Sequence, residues 1–346
     1  MLEKPALHDQ KLIDCLRDHY GFSIAEIEFL PLGADMNTAV YKAMTTDALP
    51  YFVKLRRGAF DGMSVEIPKF LHDTGIQQII APLPTTSRSL WAALDEYNVI
   101  VYPFVEGQNG WHVALSEDQW HTFGHTLKQI HTVELPADLK ARLPREMYSP
   151  YWREEVKQFQ RQVESTTYAD PSAAGLAQLF RDKQVVISHL IKRAEDLAAV
   201  LQGQAVNDTL CHTDLHMGNL LVCEDGHFYI VDWDQPLLAP KERDLMFIAS
   251  GIGDSWLSPE QEEAVFYAGY GQTAVDPVAL AYYRYERIVQ DFAAYGEQLF
   301  LTDEGGADRP EALRRVASQF EAGAVIEMAY RTERLLPSEL RDELTG

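Results

Sequence analysis

The chain has 346 residues, with 52 acidic against 30 basic side chains and a formal net charge of -22. Nucleic acid and anionic membranes would repel such a polyanion, so neither is expected as a partner, whereas a small cationic ligand would be attracted. The length exceeds what a single hydrophobic core usually supports, and two lobes are expected.

Cys15, Cys211 and Cys223 show no C-x-x-C spacing and are too few for a disulfide framework, which fits a reducing compartment. The opening MLEKPALHDQ has no basic start followed by an apolar run, and no window approaches the roughly 20 apolar residues that span a bilayer. A cytoplasmic protein is the expectation.

In chain order, residues 10–20 place Leu12, Ile13 and Leu16 at helical spacing before Gly21. IAEIEFLPLG, TAVYKAM and YFVKL then read as an antiparallel meander, rich in β-branched and aromatic residues and broken by turn-prone stretches. A helix is expected over 61–73, followed by a strand pair, SLWAAL and NVIVYPF, around Asp95-Glu96. Beyond residues 107–110, a loop by composition, long helices take over, so residues 1–106 form one expected lobe and 107–346 the other. Ser116 to Gln119 is a capping-box pattern, and Ser149-Pro150, Ser258-Pro259 and Asp276-Pro277 each put an N-cap before a proline at the first helical position. LLVCEDGHFYIVD interrupts the helices as a hairpin. The fold class is α+β and bilobal.

The segment His212-Thr213-Asp214-Leu215-His216-Met217-Gly218-Asn219, followed after the hairpin by Asp232-Trp233-Asp234, sets two carboxylates and an amide at fixed spacing. Phosphoryl transfer in kinases needs these parts: a carboxylate facing the acceptor hydroxyl, and an amide and a second carboxylate gripping Mg²⁺ across the γ-phosphate. On that pattern Asp214 is the expected base, and Asn219 and Asp232 the expected metal ligands. His212, Asp214 and His216 also match a zinc-ligand alternation. That alternative leaves Asn219, Asp232 and Lys54 unexplained, and the two histidines are expected to orient the loop. Lys54 stands in an otherwise apolar strand, where an ammonium needs anionic partners such as nucleotide phosphates. Glu66 and Asp61 are rival candidates for its carboxylate partner. The turn carrying Gly33, Asn37 and Thr38 is the expected phosphate cradle, although no P-loop and no G-x-G-x-x-G occurs.

Together these residues resemble the aminoglycoside phosphotransferase family, whose H-x-D-x-x-x-x-N loop is matched by His212 to Asn219 and whose metal-binding Asp is matched by Asp232. The resemblance implies a kinase-like bilobal fold, ATP or GTP with Mg²⁺ as cofactors, Asp214 as base, Asn219 and Asp232 as metal ligands, Lys54 on the phosphates, and an interlobe hinge in Tyr102-Pro103-Phe104-Val105-Glu106-Gly107. There the Pro103 carbonyl and the Val105 amide would meet the purine edge. The runs FLHDTGI, EMYSPYWRE, LAPKERDLMFI and YRYERIVQDFAAYG look like the spectinomycin phosphotransferase branch, which implies an aminocyclitol acceptor and antibiotic resistance. A kinase for another small metabolite, choline-like or sugar-like, is the alternative on the same fold. One departure is Ser64, which stands where the family places the glutamate that pairs with the lysine. No protein partner is implied.

A dicationic acceptor calls for carboxylates in the cleft. Asp234, Asp254, Glu286, Asp291, Glu297, Asp303 and Glu304 are the candidates, with Arg287 and Asp291 also spaced to pair with each other. Asp244 is expected to brace the metal loop. Trp111, Trp120 and Trp256 are candidate walls for a sugar-like ligand.

Overall fold

The computed structural model describes residues 3–341 except 34, 36, 59, 205–207 and 250–256, so Asp254 and Trp256 lie outside the described residues. Helix α1 (Asp9–Tyr20) ends where Gly21 turns left-handed and its N–H reaches the Arg17 carbonyl. The meander follows as β1 (Ile24–Leu30), β2 (Thr38–Thr45) and β3 (Pro50–Arg57), then helix α2 (Met63–Asp73), β4 (Ala92–Leu94) and β5 (Tyr97–Pro103). They form an antiparallel sheet of order β1-β2-β3-β5-β4. The SLWAAL run is a strand only over its last three residues, because the Ser89 hydroxyl bonds the Trp91 carbonyl and bends the chain before the ladder begins. Leu12 and Leu16 of α1 pack against Val53, Leu55, Val99 and Val101 of the sheet.

Helix α2 belongs elsewhere in packing terms. Its buried Met63, Ile67 and Leu71 join the core of the helical part, with Trp120, Phe123 and Leu127. The helix starts at Gly62 in a left-handed conformation, and the Asp61 carboxylate accepts the Met63 N–H at 2.9 Å.

The helical part runs through β6 (Gln108–Asn109), α3 (Glu117–Thr132), α4 (Ala137–Arg142), α5 (Tyr151–Val163), α6 (Pro171–Asp182), α7 (Gln184–Gln202), β7 (Thr209–Cys211), β8 (Leu220–Val222), β9 (Phe228–Ile230) and β10 (Leu237–Ala239). It closes with α8 (Glu242–Leu245), α9 (Pro259–Tyr270), α10 (Pro277–Phe300), α11 (Asp308–Ser318) and α12 (Val325–Thr332). Both halves of the Ser116 capping box form, and Ser258 caps α9 the same way. Before α5 the proline is itself the cap residue, and helical geometry starts one position later, at Tyr151. Helices α3 and α9 touch backbone to backbone: a Cβ on Gly269 would fall 1.8 Å from the His121 carbonyl oxygen. The expected hairpin is β8–β9, with β6 on its other edge. Among the described residues no helix is long and apolar enough to cross a membrane.

Helix α10 is the spine of the second core, with Ile288, Phe292 and Leu299 fully inside and Glu286 buried beside them. The Glu286 carboxylate lies 3.6 Å from Arg153 Nε. Burial pushes its pKa up from 4.5 to about 7, with Arg153 and Arg243 opposing the rise. A carboxyl raised in the folded state contributes stability that is complete below its unfolded pKa and is lost as pH rises through the folded one. Chemical denaturation as a function of pH should therefore show wild type losing up to about 3 kcal/mol relative to Glu286→Gln between about pH 4.5 and pH 8.

Candidate active site

Strand β7 leads into the loop from His212 to Asn219, the candidate catalytic loop, and that loop is fixed from below. The fully buried Asp244, on α8, accepts the His212 N–H at 2.9 Å and the Thr213 N–H at 2.7 Å. Thr213 holds φ at 78°, a left-handed conformation that a β-branched residue adopts only when its surroundings impose it. Those two bonds, with the Thr213 hydroxyl donating to the Gln235 carbonyl at 3.0 Å, impose it. Asp244 is held in turn by His131 Nε2 at 3.1 Å, and His131 Nδ1 meets the Tyr270 hydroxyl at 2.8 Å. Burial would raise the Asp244 pKa, but these hydrogen bonds bring it below the ordinary value. Asp244 thus acts as a brace, but of the His212–Asn219 loop rather than of the Asp232 segment that it was expected to support.

His212 is buried; its Nε2 bonds the Val231 carbonyl at 2.9 Å, and its Nδ1 accepts the Asp214 N–H at 3.3 Å. His212 points inward while His216 packs between Trp111 and Phe247, so the alternating His-Asp-His does not converge on a zinc site. A different trio, His131, Cys211 and Asp244, does come together. Burial raises the Cys211 thiol well above its usual pKa, and both Asp244 oxygens already accept backbone N–H groups, so these residues act as a brace.

At the tip, Asn219 Nδ2 donates to the Asp214 carbonyl at 2.7 Å, which leaves its amide oxygen as the free ligand atom. The hairpin then returns the chain to Asp232, another non-glycine residue with positive φ, at 66°. Across the cleft from β3, Lys54 Nζ lies 2.5 Å from Asp232 Oδ1 and 2.7 Å from Asp234 Oδ1, and Arg56 pairs with the other oxygen of Asp234. Burial alone would lower the Lys54 pKa, but the two carboxylates more than offset it and raise it. The same contact lowers the Asp232 pKa against the pull of desolvation, whereas burial and the neighbouring Asp232 raise that of Asp234. Lys54, Asp214, Asn219 and Asp232, far apart in sequence, therefore meet at one place. Their hard oxygen donors, which here attract an ammonium, are the donor set Mg²⁺ prefers.

Neither carboxylate expected beside Lys54 reaches it. Glu66 is bound by both terminal nitrogens of Arg142 on α4, because α2 faces the helical core, and Asp61 caps α2. Ser64 does face the site, lining a cavity of about 350 Å³ with Arg56, Phe60, Asp61 and Asp234. The lysine's partners are Asp232 and Asp234. The turn with Gly33, Asn37 and Thr38 closes on itself: the Asp35 carboxylate accepts the Asn37 N–H and the Thr38 hydroxyl, both at 2.8 Å. Pro103 ends β5 with its face exposed, and Val105 follows half-buried.

Two contacts had no signal in the local sequence. Arg287 on α10 donates to Asp214 Oδ1 at 2.5 Å, besides pairing with Asp291 at 3.0 Å as its spacing suggested. Burial would raise the Asp214 pKa, but Arg287, with His216 and His212, holds it well below the carboxylate range. Arg56 sits one strand alternation from Lys54, but nothing in its spacing announces a pair with Asp234. Trp111 packs over the catalytic loop, where a Cβ on Gly218 would fall 2.3 Å from its Nε1, and Trp120 is core. Of the other acids, Glu297 accepts the Tyr151 hydroxyl at 2.9 Å and Glu304 lies 3.6 Å from Arg57.

Residues 28–283 match the model of the phosphotransferase enzyme family. The chain belongs to that family. A solved spectinomycin phosphotransferase, APH(9)-Ia in complex with ADP and spectinomycin, is 38% identical, superposes with a TM-score of 0.87, and is matched over 95% of this chain and 100% of that one. Protein StrN of Streptomyces griseus is 25% identical over 237 residues, which is 66% of this chain and 71% of StrN. The choline kinase LicA of Streptococcus pneumoniae, at 17% identity and a TM-score of 0.53 over 90% of this chain and 99% of that one, shares the fold. The kinase-like phosphotransferase fold accounts for the antiparallel sheet, the helical second part and the hairpin set among its helices.

Asp244→Asn should leave one backbone N–H of the catalytic loop without its charged acceptor. Urea unfolding should show a loss of about 2–3 kcal/mol, together with reduced turnover.

Proposed function

We propose that this phosphotransferase moves the γ-phosphate of ATP or GTP to a hydroxyl of a cationic aminocyclitol, with spectinomycin the preferred acceptor. Phosphoryl transfer is supported above all by the convergence of Asp214, Asn219, Asp232 and Lys54. The choice of acceptor is supported by the 38% identity, over nearly the whole of both chains, to the enzyme solved with ADP and spectinomycin. Residues 1–106 form the nucleotide lobe in this reading and 107–346 the acceptor lobe.

Asp214 is the base that accepts the acceptor's hydroxyl proton; its depressed pKa keeps it ionised but makes it a weak base, so it contributes by its placement at the hydroxyl more than by basicity. Asn219 and Asp232 would hold Mg²⁺, which when bound supplies charge neutralisation at the transferring phosphoryl group. Lys54 would then exchange its carboxylates for nucleotide phosphates, aided by the turn with Gly33, Asn37 and Thr38. The Pro103 carbonyl and the Val105 amide would take the purine edge. The acidic surface would draw the acceptor inward, but screening within about 8 Å means that only carboxylates inside the cleft can choose it.

Asp214→Asn should lower turnover about 10²–10⁴-fold with little change in nucleotide affinity, whereas Asp232→Ala and Lys54→Ala should also weaken nucleotide binding. These effects are read by steady-state kinetics and nucleotide titration; wild-type turnover in any variant removes that residue from the scheme. In an assay of nucleoside diphosphate release, spectinomycin should have the highest kcat/KM among spectinomycin, a 2-deoxystreptamine aminoglycoside, choline and a neutral sugar. A tenfold advantage for choline or the sugar, about 1.4 kcal/mol in transition-state binding, would overturn the assignment of the acceptor.

A further inference from the structure

Only one oxygen of the Asp214 carboxylate is committed. Arg287 Nη1 donates to Oδ1 at 2.5 Å, while among the described residues Oδ2 has two looser neighbours, Asn219 Nδ2 at 3.4 Å and His216 Nε2 at 3.6 Å. The arginine is itself a fixed part. Its Nε is held 3.0 Å from Asp291 Oδ1, its guanidinium lies 5.8 Å from the centre of the Phe247 ring, and the second Asp291 oxygen accepts Gln319 Nε2 at 3.1 Å. Gln319, Asp291, Arg287 and Asp214 thus form one chain of contacts from the end of α11, across α10, to the catalytic loop. A guanidinium with two carboxylate partners and an aromatic face is worth most where a fixed direction is needed, because its planar fork loses little freedom on binding.

We propose that Arg287 is a positioning residue for phosphoryl transfer: by holding Oδ1 of Asp214, it sets the rotation of the carboxylate and presents Oδ2 alone to the acceptor hydroxyl. The inference rests on Asp214 being the base. Asn219 Nδ2 donates chiefly to the backbone carbonyl of Asp214, at 2.7 Å, and reaches the side-chain Oδ2 only at 3.4 Å, while His216 lies beyond hydrogen-bonding distance. Arg287 is therefore the only close hydrogen-bond donor to that carboxylate among the described residues. With a single oxygen presented, a hydroxyl is accepted from one direction, and this directional constraint would select among the several hydroxyls of a polyol acceptor. An ammonium of the acceptor beside Oδ1 would meet the guanidinium charge, so the amines must lie on the Oδ2 side or farther away.

The test is a double-mutant cycle with spectinomycin as acceptor. Arg287→Gln should lower kcat about 10–100-fold, the scale on which misplacing a catalytic group acts, and leave the nucleotide KM within about twofold. In an Asp214→Asn background the same substitution should change kcat by less than about twofold, because a positioning residue has nothing left to position. A residue that only supports the fold would cost the same in both backgrounds, and additive losses overturn the proposal. So does an Arg287→Gln enzyme with wild-type kcat and a lower spectinomycin KM, which would make the arginine a competitor of the acceptor. Should Arg287→Gln not fold, Asp291→Asn, which loosens the guanidinium without removing it, carries the same cycle with a smaller loss. An active wild type whose Asp214→Asn turnover is unchanged refutes the base itself, and a wild type that transfers phosphate to no acceptor refutes the underlying function. Either outcome is distinct from additivity in a working enzyme.

Discussion

The ammonium of Lys54 lies between the carboxylates of Asp232 and Asp234, removed from water, at the point where the sheet meets the helical part. Neither sign of charge is tolerable there alone: an isolated buried ion is far costlier than a paired one, and breaking such a pair costs more than the pair contributes. The neutralisation explains why a lysine tolerates an apolar strand.

Around that point the structure is built as nested supports. Asp244 holds the backbone of the catalytic loop, His131 holds Asp244, and Tyr270 holds His131. Tyr270 sits at the end of α9, which packs on α3 at a distance only glycine permits. The loop is thereby referred to two helices packed backbone to backbone, and backbone strain at Thr213, of order 1–3 kcal/mol, is sustained by that support.

What could be read from the sequence follows the range of each interaction. The meander, the capping boxes and the β8–β9 hairpin are local, and they appear where hydrophobic period and turn chemistry put them. The loop from His212 to Asn219 was equally legible, because its chemistry demands residue types at fixed spacing. The partner of Lys54 was not. Glu66 is a reasonable candidate on the helix that follows the Lys54 strand, but Met63, Ile67 and Leu71 of that helix face the helical core, and its carboxylate goes to Arg142. An amphipathic stripe tells which side of a helix is buried, not against what. Arg287 illustrates the same limit: its spacing announced Asp291, while Asp214 comes from another part of the chain.

The packing of α2 bears on how the two parts can move. Because that helix rides with the helical core while its ends lead back into the sheet, the sheet is stitched to the rest of the molecule at three places. They are the crossing after β3, the return from Ile79, which bridges to Ile230, and the segment after Pro103. At the far side, the Glu3 carboxylate accepts the Ala307 N–H, and Arg57 faces Glu304. A body held along several seams is expected to move by small slides of packed surfaces rather than by a swing about one pivot, which leaves the His212–Asn219 loop in register with the helices that hold it.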